Sequence, residues 1–176
     1  MRIAALALPL AALAYAVAAP GAAWAETCFR ACVSAHVKAS DVTDEMIRHQ
    51  MGSCRDSCEE ESRARLVSKG LDKKVAACEP QRLSDAEFKV LRAASASFFT
   101  YANAFTWDIH NVLPGRVIRK VEIVYPTLDL DDTTATGGGI ILPGETETIL
   151  INATFDGYPA TRYALRVRAV YACPVD

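Results

Sequence analysis

Three textures of hydrophobic and polar positions follow one another along the chain. Residues 3–19 form an unbroken apolar run. Between 27 and 69 the apolar side chains fall at helical spacing. Phe29, Val33 and Val37 make one stripe, and Ile47, Met51, Cys54 and Cys58 make another at steps of four, three and four. The spacing predicts one helix over 27–38 and a second over 42–69. Asp41 is the expected N-cap, Asp44 the third helical position and Gly70 the stop. Ser84-Asp85-Ala86-Glu87 reads as a capping box ahead of Phe88, Val90 and Leu91, so a third helix is expected over 80–95.

From about Phe99 the period shortens to two. Phe105, Trp107 and Ile109 alternate with Thr106, Asp108 and His110. Val117, Val121, Ile123 and Tyr125 share one side of the next run, and Glu147, Ile149 and Ile151 lie opposite Thr148 and Leu150. Tyr163, Leu165, Val167, Ala169, Tyr171 and Cys173 alternate with Arg162, Arg166 and Arg168. Such alternation means half-buried antiparallel strands. Turn signals at Pro114-Gly115, Gly137-Gly138-Gly139, Pro143-Gly144 and Asp156-Gly157 separate them. Five or six strands without an intervening helix predict a compact β-sandwich, and the fold class is α+β. The last strand is expected to turn Cys173 inward, in register with Tyr163 and Leu165.

The N-terminal run changes the picture of where the chain works. One charge, Arg2, precedes it, Pro20-Gly21 breaks it, and Ala23-Trp24-Ala25 puts small residues at the two positions a signal peptidase reads. A cleaved signal peptide over 1–25 is expected, with Glu26 first in the mature chain. The run is only 17 residues long and mostly Ala, which argues against a retained anchor. Glu26 and Thr27 are not the small apolar residues that would precede a lipidated Cys28. No later stretch is apolar enough to span a membrane, and the Ala-rich signal points to a periplasmic or secreted destination. Cleavage would leave 151 of the 176 residues, with 18 basic against 21 acidic side chains. That mild acidity gives no reason to expect a nucleic-acid partner.

All six cysteines follow the signal: Cys28, Cys32, Cys54, Cys58, Cys78 and Cys173. Six cysteines permit 15 connectivities, and an exported chain with an even count is expected to close three disulfides. Cys28 and Cys32 are four apart, as are Cys54 and Cys58, so each pair shares one helix face. Two antiparallel helices would set Cys28 beside Cys58 and Cys32 beside Cys54. By elimination Cys78 would join Cys173, tying the linker after the hairpin to the final strand. The rival chemistry is metal binding, zinc or copper(I), by four thiolates with His36 and Met51 nearby, or thiol–disulfide exchange. A C-x-x-C redox pair and a C-x-x-C-H haem attachment site are both absent. Oxidation to structural disulfides is the expectation, with no cofactor.

The two C-x-x-x-C motifs at 28–58 resemble the twin CX3C hairpins of small mitochondrial intermembrane-space proteins, some of which chaperone apolar precursors. The 21 residues between the motifs exceed the spacing usual there. The resemblance implies a clamped helical hairpin and little about activity. Further on, Trp107-x-Ile109-x-Asn111, Ile118-x-Lys120-Val121-x-Ile123 and Leu142-Pro143-Gly144-Glu145-Thr146 resemble immunoglobulin-like modules of the FxLYD and fibronectin III kind over about 104–172. That resemblance implies an Ig-like sandwich in an envelope protein, used for binding or structure.

Other constellations carry less. Asp108 and His110 share the polar side of a strand and would need a serine to form an acyl-transfer site, but no G-x-S-x-G elbow accompanies them. A solvated Asp–His pair is the simpler reading, and His36 and His49 are expected to flank the hairpin seam. Asp129, Asp131 and Asp132 precede the three glycines but lack the EF-hand ligand ladder for calcium. Asn152-Ala153-Thr154 is a formal glycosylation acceptor inside an expected strand. Arg162, Arg166 and Arg168 line one face of the last strand, where they would pair with nearby carboxylates or meet an acidic partner.

The expected organisation is a signal peptide at 1–25 and a helical hairpin at 26–78, then a linker with the third helix at 79–95 and a sandwich at 96–176. The expected function is that of an exported, non-enzymatic envelope protein that binds another protein or serves as a structural module. Metal or thiol handling through the paired cysteines is the alternative, and a hydrolase using His110 a third possibility requiring a pocket there.

Overall fold

The computed structural model describes residues 26–38, 40, 43–127, 129, 131–152 and 164–175. The expected signal peptide, Asp41, Ala153-Thr154, the Asp156-Gly157 turn, Arg162 and Tyr163 lie outside these residues. Among the described residues, four helices and seven strands follow in the order α1 Cys28–His36, α2 Asp44–Ser68, α3 Asp72–Ala76, β1 Gln81–Arg82, α4 Asp85–Ala94, β2 Phe99–Tyr101, β3 Ala104–His110, β4 Arg116–Pro126, β5 Asp132–Ile141, β6 Thr146–Asn152 and β7 Arg166–Pro174.

Helix ends are set by side chains that satisfy otherwise orphaned backbone groups. Thr27 Oγ1 accepts from Arg30 N at 3.2 Å to start α1. Thr43 does the same for Met46 N in α2, so Asp44 is the first helical residue and not the third. α2 ends where Gly70 takes φ +67°, with Gly70 N bonded to Val67 O and Leu71 N to Leu66 O. This paired closure needs a left-handed residue at Gly70. The capping box is present in α4, with Ser84 and Glu87 bonded reciprocally. The third helix is shorter than 80–95 because residues 81–82 leave to form β1 beside β7.

Three disulfides close the framework: Cys28–Cys58, Cys32–Cys54 and Cys78–Cys173, with Cα separations of 5.8, 5.6 and 5.9 Å. The first two are nested and clamp α1 to α2. Such a framework is the covalent signature of a non-cytoplasmic protein. No helix among the described residues is long and apolar enough to cross a membrane.

The strands form two antiparallel sheets, β1-β7-β4-β5 and β2-β3-β6, which are not closed into a barrel. Phe105, Trp107 and Ile109 meet Ile118, Val121, Ile123, Val170 and Ala172 between them, with Leu91 of α4 at one side. Two bulges correct the simple alternation. The first, between Ile118 and Lys120, keeps Ile118 and Val121 in this core and turns Val117 to the outer face. The second, between Glu122 and Ile123, absorbs Arg168, so Val167 and Val170 both face inward. Cys173 is therefore fully buried but on the outer face with Val117, under Leu66 and Val75. It does not share the core of Leu165 and Ala172.

The glycine triplet is not a turn. Gly137, Gly138 and Gly139 lie in β5, where a Cβ on Gly137 would stand 2.5 Å from Leu150 O and one on Gly139 would collide with Ile149. Their bareness lets β5 approach β6 of the opposing sheet closely. These two edge strands leave the side of the sandwich open, and α2 covers it. Arg55, Cys58, Glu59 and Ser62 of α2 face Gly138–Ile141 and Glu147–Ile149 there. Asn111, fully buried, holds the adjoining loops by donating to Arg116 O and Ile141 O while accepting from Leu113 N.

Candidate functional site

The two outer faces of the sandwich differ in what covers them. The hairpin sits on the three-stranded sheet, where Phe29, Ile47, Met51, Cys54 and Cys58 pack with Ala102, Ala104 and Leu150. Polar contacts fix this seat. Thr27 Oγ1 meets Thr148 Oγ1 at 2.7 Å, and Arg30 Nε donates to both oxygens of Asp108 at 3.1 and 3.0 Å. Arg65 of α2 bonds Glu145 at 3.1 Å and Glu147 at 2.5 Å, and Lys69 bonds Glu145 at 2.8 Å. Glu147 lies on the inner side of β6, opposite Ile109. Burial holds its carboxyl above the usual carboxylate range, and the opposing influence of Arg65 only partly offsets this.

Asp108 and His110 are thus not a solvated pair. Asp108 also accepts from Thr148 Oγ1 at 2.6 Å, and His110 Nδ1 lies 2.9 Å from Thr146 Oγ1. A cleft of about 190 Å³ opens beside them, lined by Glu26, Thr27, Arg30, Ala96, Asp108, His110 and Thr146. The Asp108 carboxylate is engaged in docking α1. Asp131 O accepts from Thr127 N, and Asp132 opens β5 in an ion pair with Arg166, 2.6 Å apart. Among the described residues, Asp129, Asp131 and Asp132 do not converge as a metal cluster.

Among the described residues, the four-stranded sheet is covered at one end only, where α2, α3 and the Cys78–Cys173 bridge close over Val117, Ile140 and Leu142. Beyond that patch its outer face carries Arg82, Lys120, Glu122, Asp132, Arg166, Arg168 and Tyr171. Arg166 and Arg168 keep 61% and 56% of their side-chain surface exposed despite their pairs with Asp132 and Glu122. Lys120 Nζ stands 3.9 Å over the Tyr171 ring, and Tyr171 donates its hydroxyl proton to Glu122 at 3.0 Å. That bond first, then burial, holds the phenol above its ordinary pKa. A shallow cleft runs between Val124, Asp132, Thr134, Arg166 and Arg168. Four basic side chains against two acidic ones, with an aromatic ring at the centre, suit carboxylate-bearing surfaces. Strand alternation in the sequence marks Arg166 and Arg168 for this face but not Arg82, Lys120 or Tyr171. Register supplied the link, since Lys120 and Arg82 both pair with Tyr171.

Among the described residues one cluster has metal-ligand geometry: Cys32, Cys54 and His36, whose donor atoms all lie within 4.8 Å of one another. His36 Nδ1 is 3.7 Å from Cys32 Sγ and 2.9 Å from Cys32 O. Met51 is buried in the hairpin core and stands outside this cluster, and His49 lies exposed on α2. No protein family, curated protein or solved structure matches the chain.

Proposed function

We propose that the protein is an exported, non-enzymatic module of the periplasm or extracellular space that binds an acidic partner protein through the outer face of its four-stranded sheet. The observation that carries this reading is the asymmetry of cover among the described residues. One outer face is seated under the hairpin, while the other presents Arg82, Lys120, Arg166 and Arg168 around Tyr171. The strand order supports the Ig-like resemblance, because β2-β3-β6 over β7-β4-β5 follows the A-B-E and F-C-C′ arrangement of such sandwiches, with β1 on the outer edge of β7.

Charge reversal tests the face. Arg166→Glu with Arg168→Glu is expected to abolish crosslinking to the partner from periplasmic extract, with helicity and unfolding midpoint close to wild type. Binding through this face weakens as salt rises, because exposed charges are screened beyond about 8–10 Å at 0.1–0.15 M. Partner capture that survives the double reversal and high salt contradicts the proposed face. Measurable turnover by the purified protein contradicts the non-enzymatic reading.

A further inference from the structure

The Cys32–Cys54 bridge holds more chemistry than a staple requires. Cys54 is 2% exposed, but Cys32 is half-exposed, and His36 follows it by one turn at the exposed end of α1. The imidazole has its Nδ1 turned to that sulfur at 3.7 Å. Its companion bridge, Cys28–Cys58, closes the same hairpin one helical turn away. The hairpin therefore stays clamped when Cys32–Cys54 opens.

We propose that reduction of Cys32–Cys54 creates a site for a soft metal ion, Cu(I), bound by Cys32 Sγ, Cys54 Sγ and a ring nitrogen of His36. The reductant is an exposed dithiol of the thioredoxin class. Its thiolate attacks one sulfur of the bridge, the S–S bond breaks, and a mixed disulfide forms. Its second thiol then closes on the first and releases the chain. Two electrons and two protons pass to Cys32 and Cys54, which become thiols, and the donor becomes a disulfide. Binding Cu(I) displaces both thiol protons to solvent. His36 gives up its hydrogen bond to Cys32 O when Nδ1 coordinates, carrying its proton on Nε2 instead.

The donor set decides the ion. Two thiolates and one imidazole, without a carboxylate in the cluster, select a soft metal over magnesium or calcium. Three donors fall short of the four that close a structural zinc site. The half-exposed sulfur and exposed imidazole give the ion a path from solvent, while Cys54 anchors it against the hairpin core.

The test uses the full chain, oxidised and reduced, titrated with Cu(I) against a chromophoric chelator without air. Alkylation and peptide mapping then show which thiols the metal protects. The oxidised chain is expected to take up no copper. The chain reduced at Cys32–Cys54 alone should bind one equivalent and protect Cys32 and Cys54, with Cys28 and Cys58 recovered still bridged to each other. His36→Ala should weaken binding by at least about 10–100-fold, the loss typical even for residues that only support a ligand. Cys32→Ser with Cys54→Ser keeps the second clamp and should retain its helicity while losing the site. Copper uptake that requires Cys28–Cys58 to open as well, unchanged affinity in His36→Ala, or copper uptake by the oxidised chain overturns the proposal. So does absence of binding by reduced chain whose helicity matches that of the double serine variant, or loss of helicity in that variant.

Discussion

The hydroxyl oxygens of Thr27 and Thr148 lie 2.7 Å apart, across 121 residues of sequence. Thr27 is 5% exposed and also caps α1, so one side chain both starts the first helix and fastens it to β6. Thr27→Ala removes the cap and the cross-link together and is expected to cost about 2 kcal/mol of unfolding free energy. Thr27→Ser keeps the oxygen and should lose less than half of that. Chemical denaturation of both variants checks the difference; equal losses would show that the methyl group, not the hydroxyl, matters.

The close approach of β5 to β6 gives a prediction with an internal control. Gly137→Ala drives a Cβ against Leu150 O and should destabilise by about 1–3 kcal/mol or more. A Cβ on Gly138 has its nearest neighbour, Arg119 O, at 3.8 Å, so Gly138→Ala should be neutral or slightly stabilising. If the two variants have the same midpoint, the two sheets do not meet there as described.

Much of this architecture is legible in the sequence, for reasons that individual residues make plain. The four-residue spacing of the cysteines fixes a helix face, and two such faces admit one antiparallel pairing without crossing. Ser84 and Glu87 announce a helix start by local hydrogen bonding alone. Val117 and Cys173 lie off the side that alternation predicts because a bulge adds one residue without altering composition, so period two runs straight through it. Gly137–Gly139 look like a turn in sequence because glycine serves both a turn and a close approach, and only the opposing strand distinguishes them. Nothing local links Arg30 to Asp108, 78 residues on, so the docking of α1 was invisible in the sequence.

Glu147 makes stability depend on pH in an uncommon direction. Its folded pKa lies above the unfolded value because burial outweighs Arg65. The folded chain therefore binds the proton more tightly, and this contribution to stability falls as pH rises from about 4.3 through the folded pKa. Glu147→Gln should flatten that limb in urea titrations. Glu87 acts oppositely. Hydrogen bonds from the Ser84 backbone, then its side chain, hold its pKa down, so its contribution is lost as pH falls through that lowered pKa. An unchanged limb in Glu147→Gln would show that another group sets it.

The three bridges should differ in worth. Cys78–Cys173 closes a separation of 95 residues, and its replacement by alanines is expected to cost about 4–5 kcal/mol on the chain-entropy account. Cys32–Cys54 lies within the ring that Cys28–Cys58 already closes, so its effective loop is short and its loss should cost about 2–3 kcal/mol. Equilibrium unfolding of the two double variants ranks them, and the reverse order would contradict this account.

Arg30 separates Cys28 from Cys32, and Arg55 separates Cys54 from Cys58, so trypsin can resolve the nested pairs. Peptide mapping of native, unreduced protein is expected to recover Cys28 linked to Cys58, Cys32 to Cys54 and Cys78 to Cys173. Recovery of Cys28 with Cys54, or of six free thiols, would contradict the clamped hairpin on which the fold depends.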